Sequence, residues 1–370
     1  MPIGFLVMKW DTRAGAVILA RYPEDTSLDE NTLMQVTSAH EYSAESGFTS
    51  LMVGSINITS YFTGPEEGYY FLLLLNLDED SDSYEDGLRD TSQTILLNLK
   101  DDAYIDLIPS LFTRLSVFPR LVEEQRLALI YSNKIKRVIL NRLRDEGVIS
   151  KSELMIWAKD IYKEEIVDLE GMIMDLIKKG LVKEGSVKGL PSELIFLIYD
   201  IIATRTPPVK LFDDPSSRGL PAHLVEDYRN EINIYFKSYK PTEDDNVKLA
   251  EIFNDPQTYE TLRLLRTAIV TKNDIEKLKK KGVDDIDFVL KALWDAQMIH
   301  AFQDERKNEY YALVSDFYIK RIFPKYLMNV IKREYEQKSK ANQVLVEYIN
   351  VLESTYLSRK ETAKIKAEEL

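Results

Sequence analysis

The sequence predicts an α/β module at its N-terminus, followed by two mainly helical modules built on one repeated plan. Three observations predict this. Short strand-like stretches separated by turn residues crowd the first third, and beyond Leu121 the apolar residues recur at steps of three and four. The motif Leu197-x-x-Asp200-x-x-x-x-Arg205-x-x-Pro208 also returns as Leu313-x-x-Asp316-x-x-x-x-Arg321-x-x-Pro324. Four matches in one register argue for a duplicated unit.

In chain order, Gly4–Trp10 and Gly15–Tyr22 read as a hairpin around the turn Asp11–Gly15. Leu28–His40 follows as a helix, with Ser27 as N-cap and Glu30 at capping-box spacing. Ser50–Ser55 and Asn57–Phe62 form a second strand pair, closed by Gly64 and Pro65. Tyr69–Leu77 is apolar almost throughout, as a buried central strand is. The acidic stretch Asp78–Asp82 opens a helix to about Lys100, and a shorter helix runs from Tyr104 to about Leu115. The order β-β-α-β-β-β-α-α ends at Pro119, so residues 1–119 form the first module.

Leu121–Glu146 then reads as one helix stopped by Gly147, and Ser150–Glu153 has capping-box spacing for a second helix to about Lys163. Glu165–Lys179 is a third, apolar at Ile166, Leu169, Ile173, Leu176 and Ile177 and stopped by Gly180. Leu181–Val187 and Leu194–Tyr199 make a ribbon. Three helices and a two-stranded ribbon is the winged-helix order. The Pro- and Gly-rich stretch Thr206–Pro221 closes this module, residues 120–220.

A helical linker and a second winged-helix-like module occupy residues 221–325. Its helices are Asp255–Ala268, Lys272–Lys281 and Asp284–Gln297, and its ribbon pairs Met298–Gln303 with Glu309–Val314. Phe317–Leu370 reads as helical, with residues 326–370 as a C-terminal helix. Cations gather in its first half, and Leu345, Ile349, Leu352 and Tyr356 form a stripe in the second.

Composition excludes several classes. The chain has 370 residues, 45% hydrophobic and 29% charged, the balance of a globular protein. No apolar run reaches membrane-spanning length, and MPIGFLVMKW does not read as a secretion leader. The absence of cysteine removes disulfides and thiol catalysis and suits a reducing cytoplasm, the expected location. The net charge of −13 is concentrated: residues 1–120 carry roughly seven Lys/Arg against roughly nineteen Asp/Glu, a module that repels polyanions.

No catalytic constellation stands out. His40, His223 and His300 lie one per module, each without a motif partner, and His40-Glu41 lacks the second histidine of a zinc motif. No phosphate-cradling glycine loop occurs. Asp78, Asp80 and Asp82 begin like a calcium loop, but Ser83 and Arg89 stand where glycine and glutamate are required. Asn57-Ile-Thr59 matches a glycosylation sequon within a predicted strand. The expectation is therefore a protein with no enzymatic activity, no cofactor and no metal.

The first module resembles a longin domain, in the element order above and in Phe5–Asp11 followed by Gly15–Pro23, which is similar to the opening hairpin of archaeal, Asgard-type longin-like proteins. Longin and roadblock domains bind small GTPases or their regulators without chemistry, and tandem winged helices serve as protein-binding modules in trafficking assemblies. The resemblance thus implies a scaffold or adaptor that binds a small GTPase or a longin- or roadblock-type partner. The first positions expected to meet that partner are Trp10, Asp11, Tyr22, Tyr61 and Phe62. The alternative is a DNA-binding transcription regulator. The predicted third helices argue against it, since Glu165, Asp168, Glu170 and Asp175 load one, and Asp284, Asp285, Asp287 and Asp295 the other. Lys325, Lys332, Arg333 and Lys338 are the candidates for a polyanion or a peripheral membrane surface.

Overall fold

The computed structural model describes residues 1–11, 13, 15–41, 46–99, 102–161 and 169–368, without the side chains of 41 and 359–368. The chain is mixed α/β and divides into two compact units: 1–121 with 153–178, and 122–152 with 179–370. The expected module 120–220 therefore contributes a segment to the first unit.

In the first unit the strands are β1 (Gly4–Asp11), β2 (Gly15–Tyr22), β3 (Gly47–Val53), β4 (Ile56–Phe62) and β5 (Tyr69–Leu75). Helix α1 (Glu30–Glu41) follows β2, and α2 (Glu85–Leu97) and α3 (Tyr104–Val117) follow β5. The sheet is antiparallel in the order β2-β1-β5-β4-β3. Strands β1 and β5 lie in its middle and are buried on both faces, which is why their sequences run apolar without alternation. Leu6, Met8, Tyr70, Leu72 and Leu74 pack with Leu33 and Val36 of α1. Phe5, Val7, Phe71, Leu73 and Leu75 pack on the opposite side with Leu88 and Ile95 of α2 and Ile108 and Leu111 of α3.

Local ends differ from expectation where a side chain finds a better partner. Asp29, not Ser27, caps α1, its carboxylate accepting from the Thr32 backbone N–H at 2.8 Å and hydroxyl at 2.9 Å. Those bonds hold its carboxyl below the ordinary value. Asp80 caps a 3₁₀ turn over Ser81–Tyr84, so α2 begins at Glu85 rather than in the acidic stretch. Thr12 and Ala14 of the hairpin turn and the predicted helix ends at Lys100 and Lys163 lie outside the described residues, as do Glu165, Ile166 and Asp168.

The rest of the chain begins with α4 (Glu123–Ser132) and α5 (Lys134–Glu146). One helix was expected here. Asn133 breaks it by accepting from the N–H groups of Ile135 and Lys136 at 3.1 and 3.0 Å. Then come β6 (Val148–Ser150), α6 (Lys151–Ile161) and α7 (Leu169–Lys178), the last belonging to the first unit with most of α6. They are followed by β7 (Val182–Gly185), β8 (Leu194–Leu197), β9 (Asp200–Thr206) and α8 (Val209–Asp213). The predicted linker is α9 (Val225–Ser238) and α10 (Glu243–Asn254). The second copy comprises α11 (Pro256–Leu265), α12 (Lys272–Glu276), α13 (Ile286–Asp295), β10 (Ile299–Gln303), β11 (Glu309–Leu313) and β12 (Asp316–Ile322). Helices α14 (Leu327–Gln337) and α15 (Asn342–Glu368) end the chain. The expected single C-terminal helix is thus two, separated where Lys338 turns left-handed (φ 55°), and Phe317–Ile322 is strand, not helix.

The duplication governs the second unit. In the first copy β6 joins the ribbon in the order β6-β8-β7; in the second a single bridge, Val270 to Tyr311, takes the place of β6. Strands β9 and β12, which carry the repeated motif, pair antiparallel. Their register sets Asp200 opposite Ile322, Asp316 opposite Thr206, and Ala203 opposite Ile319. Because Asp200 corresponds to Asp316, Ala203 corresponds to Ile319, so the central pair consists of counterparts. That is the register a two-fold axis imposes. Helix α10, which precedes α11 as α4 precedes α5, also packs on α4.

Candidate functional site

The structure separates the five residues expected to meet a partner. Tyr61 and Phe62 are neighbours on β4, so their side chains point to opposite faces of a sheet that is covered on both sides. Tyr61 is 1% exposed, 4.8 Å from the Phe48 ring, and Phe62 is 8% exposed, stacked at 4.4 Å on Tyr70. Both are core residues and are withdrawn from the docking set. Tyr22 is half-buried against Phe112, Trp10 is half-buried beside the α1 core, and Asp11 accepts from the Arg13 N–H at 2.8 Å.

What the hairpin does present was not singled out from the sequence. Strand β2 is an outer strand of the sheet, and Val17 and Leu19 are exposed on it. Leu19 is the extra residue of a bulge between the pairs Val7–Ala20 and Met8–Ile18. Lys9, Arg13 and Arg21 are exposed on the same hairpin, and none forms an ion pair among the described residues. Lys9 lies over the Tyr69 ring at 4.6 Å. An otherwise acidic module therefore has a cationic edge with open strand hydrogen-bonding positions.

His40 has a serine partner that the sequence did not reveal. Its Nε2 lies 2.7 Å from the Ser60 hydroxyl. The pair resembles a nucleophile and its base, but His40 is 1% exposed and Ser60 0%, enclosed with the rings of Phe62 and Tyr70. The Ser60 hydroxyl donates to the Thr49 carbonyl at 3.3 Å, which leaves its lone pairs to accept from a neutral imidazole. Burial pushes His40 down to about 4. This geometry ties α1 to the sheet, with both partners shielded from solvent.

The remaining chemical candidates resolve similarly. His223 is exposed, and His300 stacks on Trp294 at 5.4 Å with Nδ1 3.9 Å from Glu231. Among the described residues no group of three His, Asp or Glu could hold a metal. Asn57 is buried, donating to the Glu79 carbonyl and accepting from Ser81, each at 3.0 Å.

The repeated motif builds matching ion pairs in the second unit. Asp200 accepts from the Ile201 N–H and from Arg144, whose guanidinium also donates to the Ile201 carbonyl. Asp316 accepts from the Phe317 N–H and from Arg266, which also donates to the Phe317 carbonyl. Burial raises the Asp316 carboxyl, against the pull of Arg266. The motif arginines also match. Arg205 donates to the Ala296 carbonyl at 2.7 Å and Arg321 to the Lys179 carbonyl at 3.1 Å, each behind a third helix. Arg205 alone is sealed, its side chain 3% exposed and held by both Asp245 oxygens at 2.7 Å.

Of the C-terminal cations, Lys325, Lys332 and Lys338 are exposed, Lys332 lying 3.8 Å from Glu336. Arg333 is engaged instead with the buried Glu334 carboxylate at 3.0 Å and the Asp145 carbonyl. On α13 and its approach, Asp284, Asp285, Asp287 and Asp295 all face outward. The preceding turn, however, exposes Lys277, Lys279, Lys280 and Lys281, a run overlooked in the sequence. Lys277 pairs with Asp274 at 2.7 Å and Lys281 with Glu260 at 3.5 Å. No described helix is long and apolar enough to cross a membrane.

No family model matches this chain, and no curated protein matches it.

Proposed function

We propose that the chain is a non-catalytic cytoplasmic scaffold. Its first module, of longin type, docks a small GTPase or a longin- or roadblock-type partner in a trafficking- or signalling-like assembly. Its duplicated copies are winged-helix units that contact proteins. The observation that carries this reading is the sheet order β2-β1-β5-β4-β3, with α1 on one face and α2 and α3 on the other. It is compatible with the element order on which the longin resemblance rests. Support for the winged-helix assignment comes from β6, a strand between α5 and α6 that completes the ribbon.

The hairpin is the proposed docking edge, with Trp10, Asp11 and Tyr22 beside Lys9, Arg13 and Arg21. Main-chain pairing along an open edge supplies affinity, and unpaired cations steer an acidic partner strand. The test is binding of the purified chain to GTP- and GDP-loaded small GTPases, and to longin and roadblock proteins, of the same cell. At least one should bind, with Arg21→Glu weakening the complex about ten-fold. Failure of every such protein to bind reproducibly would end this reading.

One observation favours a DNA-binding regulator: the exposed lysines before α13, with Lys332 and Lys338 elsewhere. The outward carboxylates of α13 oppose it. Tight, salt-sensitive retention of duplex DNA, lost when Lys279 and Lys280 become Gln, would put this reading in first place.

A further inference from the structure

The duplication supplies an internal control, because two copies of one helix can be compared within a single chain. The third helices, α7 and α13, end in matching turns. Gly180 and Gln297 are both left-handed, at φ 64° and 54°. The residues after them, Leu181 and Met298, accept from the N–H groups of Ile198 and Val314, both at 2.9 Å. Counting back from these turns, Leu169, Met172, Ile173 and Leu176 correspond to Ile286, Val289, Leu290 and Leu293, and all eight are buried.

The neighbouring stripe differs between the copies. On α7 it consists of Gly171, Asp175 and Lys178. The first two are buried, and the Lys178 ammonium binds Glu85 and Asp86 in the first turn of α2 at 3.2 and 3.6 Å. On α13 the counterparts are Phe288, Ala292 and Asp295, with Trp294 alongside. Phe288 is 62% and Trp294 46% exposed. Asp295 is exposed and unpaired among the described residues. Trp294 rests on His300, so its indole is held in place before any partner arrives. Lys272 occupies Asp287 at 2.6 Å, which leaves Asp284 and Asp295 as free carboxylates bracketing the aromatic pair, with Lys291 between them.

We infer that this face of α13 docks a helix of a second protein, one that is basic where α2 is acidic. The inference deepens the scaffold reading above and rests on its claim that the duplicated copies contact proteins. In the same stripe of α7 it is Lys178 that meets a helix, and the exposed Phe288 and Trp294 on the duplicate suit the same use. The exchange of Lys178 for Asp295 reverses the charge required of the occupant. Glu85 and Asp86 of another copy of this chain would meet Asp295 as like charges, so self-association through α2 is disfavoured. A Lys or Arg in that place would gain the Asp295 carboxylate and the exposed part of the adjacent Trp294 indole.

The test uses the full chain and two amphipathic helical peptides of roughly 18 residues. They share an Ala/Leu face and are flanked by Lys in one and by Glu in the other; binding is followed by fluorescence anisotropy. The Lys peptide should bind about ten-fold tighter than the Glu peptide, Phe288→Ser should weaken it about ten-fold, and Asp295→Lys should reverse the preference. All the substituted side chains are exposed, and unchanged thermal melting confirms that the fold is kept. Absence of binding would overturn the inference. So would a Lys peptide that binds Phe288→Ser and Asp295→Lys as well as the parent, since it would report only net charge. Sedimentation showing a dimer that Phe288→Ser dissolves would overturn it too, making a second copy the occupant. Phe288→Ser leaves the hairpin of the first module intact, so GTPase or longin binding should survive it, and the two readings can fail separately.

Discussion

Acid should weaken this protein through His40. The imidazole titrates near 6.5 when free and at about 4 in the fold, where burial opposes the charged form. Between those values the unfolded chain binds a proton that the native chain refuses, so stability present above pH 6.5 is lost as the pH falls towards 4. At pH 4.5 the loss amounts to about 2.5 kcal/mol, a large share of a typical domain's stability. The perturbation is His40→Gln, whose amide can still donate to Ser60 but does not titrate. Urea unfolding of parent and variant at pH 7.5 and 4.5 gives the contrast. The variant is expected to be the less stable of the two at pH 7.5 and to lose about 2.5 kcal/mol less on acidification. Because the chain has only three histidines, the ring carbon resonances read the same titration directly. A His40 signal that moves near pH 6.5, or equal acid slopes in the two proteins, would refute the argument.

Two further outcomes follow from the second unit. Arg205→Ala should cost about 3 kcal/mol by chemical denaturation, because it removes the bidentate partner of Asp245, which then keeps the Tyr239 hydroxyl, and the donor to the Ala296 carbonyl, whereas Arg321→Ala at the half-exposed counterpart should cost under about 1 kcal/mol. Equal losses would show that the sealed pair has no special weight. Gly219→Ala should lower the melting temperature and cost at least about 2 kcal/mol, since its φ is 109° and a Cβ there would fall on the Ile269 carbonyl oxygen. An unchanged melt would mean that the Arg218–Ile269 contact relaxes freely.

The first module was legible because its central strands are apolar on both faces, so β5 announces itself as a run with no alternation. The same covering of both faces takes Tyr61 and Phe62 out of solvent. A residue pair on an exposed strand puts one side chain in solvent, but on β4 it puts one in each core. The break at Asn133 is hidden in the sequence because Ala128, Leu129 and Ile130 lead apolar spacing straight towards it, and only the side-chain cap declares the end. The sequence reads as helix at β12 although Phe317 and Ile319 alternate with Tyr318 and Lys320. Its match to the β9 motif carried the missing signal, since a repeated motif should adopt the same backbone. The pairing of His40 with Ser60 and the exposure of Phe288 depend on tertiary placement, for which spacing along the chain gives no sign.

The register that sets Ala203 against Ile319 has one more consequence. In an assembly of two identical chains every substitution is inherited twice, so neither half can change without the other. Here the halves are separately encoded, and glycine can persist in one place while phenylalanine occupies its twin. Covalent fusion thus allows a symmetric arrangement to offer two unlike faces.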